Sequence, residues 1–464
     1  MELNDMTKTT VPEIVCLALV CAFSSGAEPV DNSKASRAVT VTAPQAQQAV
    51  RGLTLQECIA QALTSSPRAV RDRYLIDAAS AGLDRNRGER LPTLSARANY
   101  RHSLDNVRLT PARDPGEVGT FADDVGALDA VVRLPLYSGG GITAGIDAAR
   151  AGVDAAAGNL TRTRQELVYD VTALFYAILG QRKGVDSVDA SRKAMDEHRR
   201  RVADLLAASK VARVDLLRTE VRLADLEQRQ VRETNVLAIY HRRLVNLLGG
   251  MPKAPPFAIV GDLALQAGEP PELAPALAAA RIARPDLAAA RAAVEAQAAK
   301  VVVARAGGRP AVSLEASYGG RWAIDPETRQ SGADSSEDAG FIGVAVEIPI
   351  FQGGRVSAAA RGERARLAAQ QESLRELDLV VQLQVETALL NARSSALRVK
   401  ATTKAIEQAA ESLRIERARY ELGKGSMTDV LDAQAAQLDA ETIHAQAQVE
   451  HATALAELRL ATGE

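Results

Sequence analysis

The sequence predicts a mostly helical α+β membrane protein made of two internal repeats, each joining two β-strands to a long coiled-coil helical hairpin. Three observations carry that reading. The chain writes one junction twice: Leu134–Gly141 reads L-P-L-Y-S-G-G-G and Ile348–Gly354 reads I-P-I-F-Q-G-G. An alternating apolar run precedes each copy, and a very long helical pattern follows it. The copies also superimpose by count, since Pro135 and Pro349 are 214 residues apart and so are Asp215 and Asp429.

Composition agrees. Of 464 residues, 47% are hydrophobic but only 3% aromatic, and much of the apolar content is alanine, which suits long packed helices better than a thick globular core. A net charge of −2 offers no basic surface to nucleic acid. Cys16, Cys21 and Cys58 make no disulfide framework.

Residues 1–27 are expected to form a signal peptide. Ile14–Phe23 is apolar but too short to span a bilayer, and Ser25-Gly26-Ala27 places small residues at the cleavage point. Lipidation at Cys21 is the alternative, with Val20 standing where a small residue belongs. Residues 28–52 read as an extended or disordered lead.

The first repeat is expected over 53–250. Thr54-Leu55-Gln56-Glu57 is a capping box that starts a short helix. Pro67 breaks it, and a second helix runs to about Gly88. Strands are expected at about 93–103 and 125–136. In the first, Leu94, Ala96, Ala98 and Tyr100 share one face and Ser95, Arg97, Asn99 and Arg101 the other. Helices follow at about 142–206 and 214–248. Leu160, Leu167 and Leu174 step by seven, as do Val171, Ile178 and Val185, which means coiled-coil packing. Gly249-Gly250 ends the hairpin, and 251–271 is a linker. The second repeat, 272–464, is expected to have strands at about 311–319 and 341–350 and helices at about 354–421 and 427–462.

Strands of about eleven residues, apolar on one side, fit a bilayer when tilted. Four cannot close a barrel, which needs about eight or more. Several chains would then share one barrel: two would give eight strands and three twelve. The competing reading is a pair of hairpins on a soluble core, but helices on the order of 100 Å long leave little core to cover them.

With these residues in view, the chain resembles the outer-membrane efflux protein family of TolC-like outer-membrane factors over about 53–462. The resemblance rests on the duplicated plan, both junctions, and Tyr420-Glu421-Leu422-Gly423 followed by Asp429-Val430-Leu431-Asp432-Ala433. It implies a homotrimer with a shared twelve-stranded outer-membrane barrel on a periplasmic α-helical tunnel. It also implies partners: a periplasmic adaptor protein, an RND-type or ABC-type inner-membrane pump, and outer-membrane lipid. The junctions at Pro135, Gly139 and Gly140 and at Pro349, Gly353 and Gly354 would then form the collar between barrel and tunnel, with the prolines ending strands. The turns at Ala208-Ser209-Lys210 and Leu422-Gly423-Lys424 would be adaptor-contacting tips, the first having lost the family's glycine. Asp429 and Asp432 match the family's constriction aspartates, and Asp215 and Tyr420 match two parts of its closed-state latch. The latch arginine is replaced by Gly425, leaving Arg213, Lys424 or Arg417 as candidate cations. The simpler reading of Asp429 and Asp432 is acids favouring a helix start.

No catalytic constellation is present. His102, His198, His241, His444 and His451 form no metal motif such as H-E-x-x-H, and the glycine pairs lack phosphate-loop spacing. Neither a cofactor nor a resident metal is expected. Trp322 suits an interfacial anchor. The function expected is a passive exit duct, not an enzyme; a non-conducting periplasmic coiled-coil scaffold is the alternative.

Overall fold

The structure, a computed structural model, describes residues 52–111, 115, 119–250, 258–263, 271–324 and 336–464. The expected signal peptide, nearly all of the lead, and most of the linker lie outside the described residues. In the first half the elements are β1 (Gly52–Leu53), α1 (Leu55–Ser65), α2 (Pro67–Gly88), β2 (Thr93–Arg108), β3 (Phe121–Ser138), α3 (Gly141–Ala207) and α4 (Arg213–Leu247). The second half has the same order: β4 (Ala258–Ile259), α5 (Leu273–Ala283), α6 (Pro285–Ala306), β5 (Ala311–Ala323), β6 (Ser336–Glu347), α7 (Arg355–Glu421) and α8 (Met427–Thr462). The short strands β1 and β4 pair in parallel.

The four long strands make one antiparallel sheet in the order β2-β3-β5-β6. Its register brings the alternating residues of all four strands to one face. Ala98 pairs with Leu128, Ala130 with Tyr318, and Ala316 with Ile342. On that face Leu94, Tyr100, Leu128, Tyr318, Ile342, Val344 and Val346 are exposed, and Val132, Leu134 and Leu314 are half-buried. Trp322 extends β5 beyond Tyr318 and is partly exposed. The other face carries ion pairs across strands, Arg133–Glu315 at 2.5 Å and Arg321–Asp129 at 2.7 Å. Among the described residues, β2 and β6 have no strand on their outer sides.

Strand ends depart from expectation. β2, β3 and β5 run several residues farther than their alternation, because a paired ladder continues through polar residues such as His102 and Asp124. Pro135 does not end its strand. β3 continues to Ser138, with a register shift between Pro135 and Tyr137, where a residue lacking an N–H is tolerated. Pro349 also ends no strand, since β6 has already stopped at Glu347.

The helices α3 and α7 have 67 residues each, a length of about 100 Å. No described helix is long and apolar enough to cross a membrane. The heptad steps are seams: Leu160, Leu167, Val171 and Ile178 on α3, and Val385, Ala392, Val399 and Leu413 on α7, are buried. Their partners are shorter and set end to end. At the end of α4, Gly249 lies against the Ser65 carbonyl, just before α2 begins. Past the end of α8, Gly463 lies against Ala283, just before α6 begins. Helix α3 packs along both composite columns, α4 with α2 and α8 with α6, whereas α7 packs along one, α8 with α6, and against α5. On α7, Leu383, Leu390 and Leu397 step by seven and are 60–68% exposed, so an apolar flank is bare in the single chain.

The joint between α8 and α6 is held by Arg284, which is 1% exposed. Its guanidinium donates to both Asp286 oxygens (Nε–Oδ1 3.0 Å, Nη2–Oδ2 2.5 Å), to Gln384 Oε1 at 2.8 Å and to the Ala461 carbonyl at 3.2 Å. Burial pushes the Asp286 carboxyl up, but the Arg284 bonds and charge outweigh it and hold it below the usual range. Its contribution to stability is therefore present above pH 3.8, the ordinary value, and is lost as pH falls through the depressed one. Arg284→Met leaves the half-buried Asp286 carboxylate with only Arg162 at 3.9 Å and the Leu287 N–H, and should cost about 3 kcal/mol. Thermal unfolding followed across the acid range should show the loss, together with a weakened dependence on pH below 3.8.

Candidate functional site

The expected site residues fall at the two ends of the long helices. At the strand end, paired glycines turn the chain. Gly139 and Gly140 have φ of 64° and 85°, and Gly353 and Gly354 have 59° and 77°; the second glycine of each pair caps the helix that follows. Such values favour glycine over any residue with a Cβ. At Gly139 space is also short, since a Cβ would lie 2.7 Å from Cβ of Arg309, whose Nη1 donates to the Gly139 carbonyl at 2.9 Å.

At the other end the two turns are superimposable in their hydrogen bonds. Ala208, Ser209 and Lys210 donate to Asp204, Leu206 and Leu205; Leu422, Gly423 and Lys424 donate to Ala418, Tyr420 and Arg419. This is the helix-ending pattern that needs a left-handed residue. Gly423 supplies it at φ 68°, and Ser209 supplies it at φ 58°, the one non-glycine with positive φ among the described residues. The first tip has lost the glycine but kept the conformation.

The turns differ in how the next helix starts. Ser426 caps α8 in a reciprocal box: its Oγ accepts from Asp429 N at 3.2 Å, and its own N–H donates to Asp429 Oδ2 at 3.1 Å. The Ser426 bonds hold the Asp429 carboxyl below the usual range. Ala212, the equivalent residue before α4, has no side chain to cap with. Asp429 and Asp432 are three residues apart and both exposed, so they lie on one open side of α8.

Tyr420 and Asp215 are not joined. The Tyr420 hydroxyl is buried without a hydrogen-bond partner among the described residues. Burial first, and the Asp215 charge second, raise its pKa. Arg213, Arg417 and Lys424 make no ion pair there among the described residues. The cations that span the two hairpins are others: Arg218 Nη1 donates to Thr428 Oγ1 at 3.2 Å, and Arg229 Nη1 to Asp439 Oδ1 at 3.2 Å. Both partners are 210 residues downstream. Eleven residues are close to three helical turns, so the two arginines share one face of α4. No local pattern marks these pairs in the sequence, since each joins two hairpins through positions 210 residues apart.

Two of the histidines pack in a helical seam. His444 Nδ1 lies 3.0 Å from Thr402 Oγ1 and His451 Nδ1 3.1 Å from Ser395 Oγ, two steps of one seam between α7 and α8. His102 lies 2.8 Å from Asp124, and the ligand atoms of His102, Asp123 and Asp124 are all within 4.8 Å of one another. This grouping is invisible to a motif search because the strand pairing of β2 with β3 creates it.

Two substitutions at the first tip follow. Ser209→Gly should relieve the left-handed strain and stabilise the tip by about 1 kcal/mol. Ala212→Ser should recreate the capping box with Asp215 and add about 1 kcal/mol. Both should appear as slower amide exchange at the start of α4.

The sequence and fold have relatives. The profile of the outer membrane efflux protein family matches residues 58–250 and 276–464. Protein CyaE of Bordetella pertussis (strain Tohama I) is 27% identical over 445 residues, covering 94% of this chain and 89% of that protein. The outer-membrane channel OprN superimposes with a TM-score of 0.72 at 23% identity, covering 88% of this chain and 89% of that one. The outer membrane protein VceC of Vibrio cholerae gives 0.73 at 20% identity, covering 88% and 96%. With both halves matched in order, the chain belongs to the outer membrane efflux protein family, and it is an outer-membrane protein.

Proposed function

We propose that three copies of this chain share one twelve-stranded barrel and one helical tunnel, and that the trimer is the passive exit duct of a tripartite efflux or type I secretion system. The observation that carries this is the pair of open edges. The sheet is unpaired at β2 and β6, and the helical layer is unpaired at the α7 flank. Inside one chain, β3 already pairs with β5, and α3 already packs along α8 and α6. β6 and α7 are the repeat equivalents of β3 and α3, and β2, α4 and α2 are those of β5, α8 and α6. Each copy therefore offers its neighbour the edge that its own halves use internally. An interface of that kind closes as a ring, and three copies supply twelve strands.

The ion-paired face of the sheet would line the barrel, and the exposed apolar face would meet outer-membrane lipid. The junctions at Pro135, Gly139 and Gly140 and at Pro349, Gly353 and Gly354 would form the collar. At the periplasmic end, Asp429 and Asp432 would form two rings of carboxylate at the constriction. The Ser426 bonds keep Asp429 ionised at neutral pH, and like charges in a ring favour cations while opposing closure. In this reading Arg218 and Arg229 hold the closed entrance by tying α4 to α8. Asp215 and Tyr420 stand beside them and are proposed to join the latch when the tips of three copies meet. The turns Ala208-Ser209-Lys210 and Leu422-Gly423-Lys424 would receive the periplasmic adaptor, which links to an RND-type or ABC-type pump.

Planar-bilayer recording tests the duct. The wild-type protein should give small, cation-preferring pores. Asp429→Ala with Asp432→Ala should widen them and weaken the preference. Arg218→Ala with Arg229→Ala should raise the open fraction without changing selectivity. A non-conducting scaffold would give no pores with any of the three.

A further inference from the structure

We propose that His198 and Met427 form a binding site for a soft monovalent metal ion, copper(I) or silver(I), that bridges the two helical hairpins beside the tip. His198 lies on α3, in the first hairpin, and Met427 is the first residue of α8, in the second. The imidazole Nε2 is 2.9 Å from the thioether Sδ. The site lies within one chain and stands whether or not the chain conducts.

Three properties of the pair favour this ion class. Its ligand atoms are one imidazole nitrogen and one thioether sulfur, and thioether ligands select copper(I) over zinc and over hard cations. Both ligands are neutral. An unprotonated imidazole presents its lone pair to a metal. Arg201, Lys210 and Arg417 line the adjoining cavity together with Glu197 and Glu421, and the one positive charge in excess penalises a divalent ion more than a monovalent one.

The geometry is reachable. A monovalent ion with two ligands is near-linear, and bonds of about 2.0 Å and 2.3 Å in line place the ligand atoms about 4.3 Å apart. The thioether must therefore withdraw by about 1.4 Å, a rotamer change open to an unbranched side chain with three rotatable bonds. Met427 is 4% exposed and already held against α3, so little ordering remains to be done on binding. The cavity beside the pair, about 680 Å³ and lined by His198 and Tyr420 among others, gives an ion a way in. The Tyr420 ring stands edge-on to His198, with centroids 6.1 Å apart. An ion held there would cross-brace the hairpins where Arg218 and Arg229 also tie them.

The test uses the full chain in detergent, labelled at the methionine methyl groups, with silver(I) as a redox-inert probe. One equivalent should move the Met427 methyl resonance and leave that of Met195, on α3 three residues from His198, in place. Competition with a chromogenic copper(I) chelator should show at least tenfold weaker binding for Met427→Leu and for His198→Gln. Both replacements nearly conserve volume, and an unchanged unfolding midpoint shows that the fold persists. Thiols are the competing ligands. Burial raises the Cys58 thiol to about 11, so it is a poor one at neutral pH. Silver uptake with an unmoved Met427 methyl would overturn the proposal, as would undiminished copper(I) affinity in the double variant or displacement of silver by equimolar zinc.

Discussion

A backbone N–H or C=O inside a bilayer has to find its partner in protein, because each unpaired group costs several kcal/mol there. The four-stranded sheet meets that demand on its inside and fails it along β2 and β6. Every larger feature answers to this constraint. The strands cannot stand alone in lipid, so the chain is read as one part of a ring. The duplication supplies the means of closure, since a contact that β3 makes with β5 can be made again by β6 with β2 of another copy. The register of that contact follows from the register within the chain. Ala130 pairs with Tyr318; Val344 is the repeat equivalent of Ala130, and Tyr100 that of Tyr318. The proposed closure therefore sets Val344 beside Tyr100 of a neighbour, with both on the apolar face.

The helical part solves the same problem with side chains. A helix of 67 residues needs an apolar neighbour along its whole length, and no single partner in the chain is that long. Two composite columns answer the need, α4 with α2 and α8 with α6, and each has a joint where one helix stops and another begins. The second joint centres on the buried Arg284, which gathers the half-buried Asp286, the exposed Gln384 and the Ala461 carbonyl. A fully bonded buried cation fixes the joint in register, whereas apolar packing alone would tolerate sliding. The tips carry the opposite character. They are exposed, joined across hairpins by Arg218 and Arg229, and unequal: the second has glycine and a capping box where the first has a strained serine and an uncapped alanine. Local opening would start more readily at the first tip.

Much of the fold was legible because it rests on period and punctuation. Seven-residue steps such as Val385, Ala392 and Val399 marked the seams, and the paired glycines marked the turns, since each relation lies within one stretch of chain. Strand length was less legible. Alternation stopped near Ser103, but the β2–β3 ladder resumes at Val107 and Arg108 after a bulge, and the partner strand decides that. Pro135 was misplaced as a strand end because a bulge depends on two strands at once. Near the tips, Asp429 and Asp432 could be singled out from sequence because a motif names them, and their place at a constriction is a proposal. The span from Arg218 to Thr428 could not, because it joins positions 210 apart whose residue types carry no signature. The nearness of His198 to Met427 was hidden in the same way, since it follows from how α3 and α8 are staggered.

Disulfide cross-linking between copies tests the closure most directly. In one sheet β2 and β6 are separated by β3 and β5, about 14 Å at the usual strand spacing, so Tyr100→Cys and Val344→Cys cannot pair within a chain. On oxidation of the protein in outer membranes, the double variant should give covalent dimers and trimers on a denaturing gel. Each single variant should give none. A double variant that stays monomeric under conditions that oxidise an accessible control pair would contradict the shared barrel.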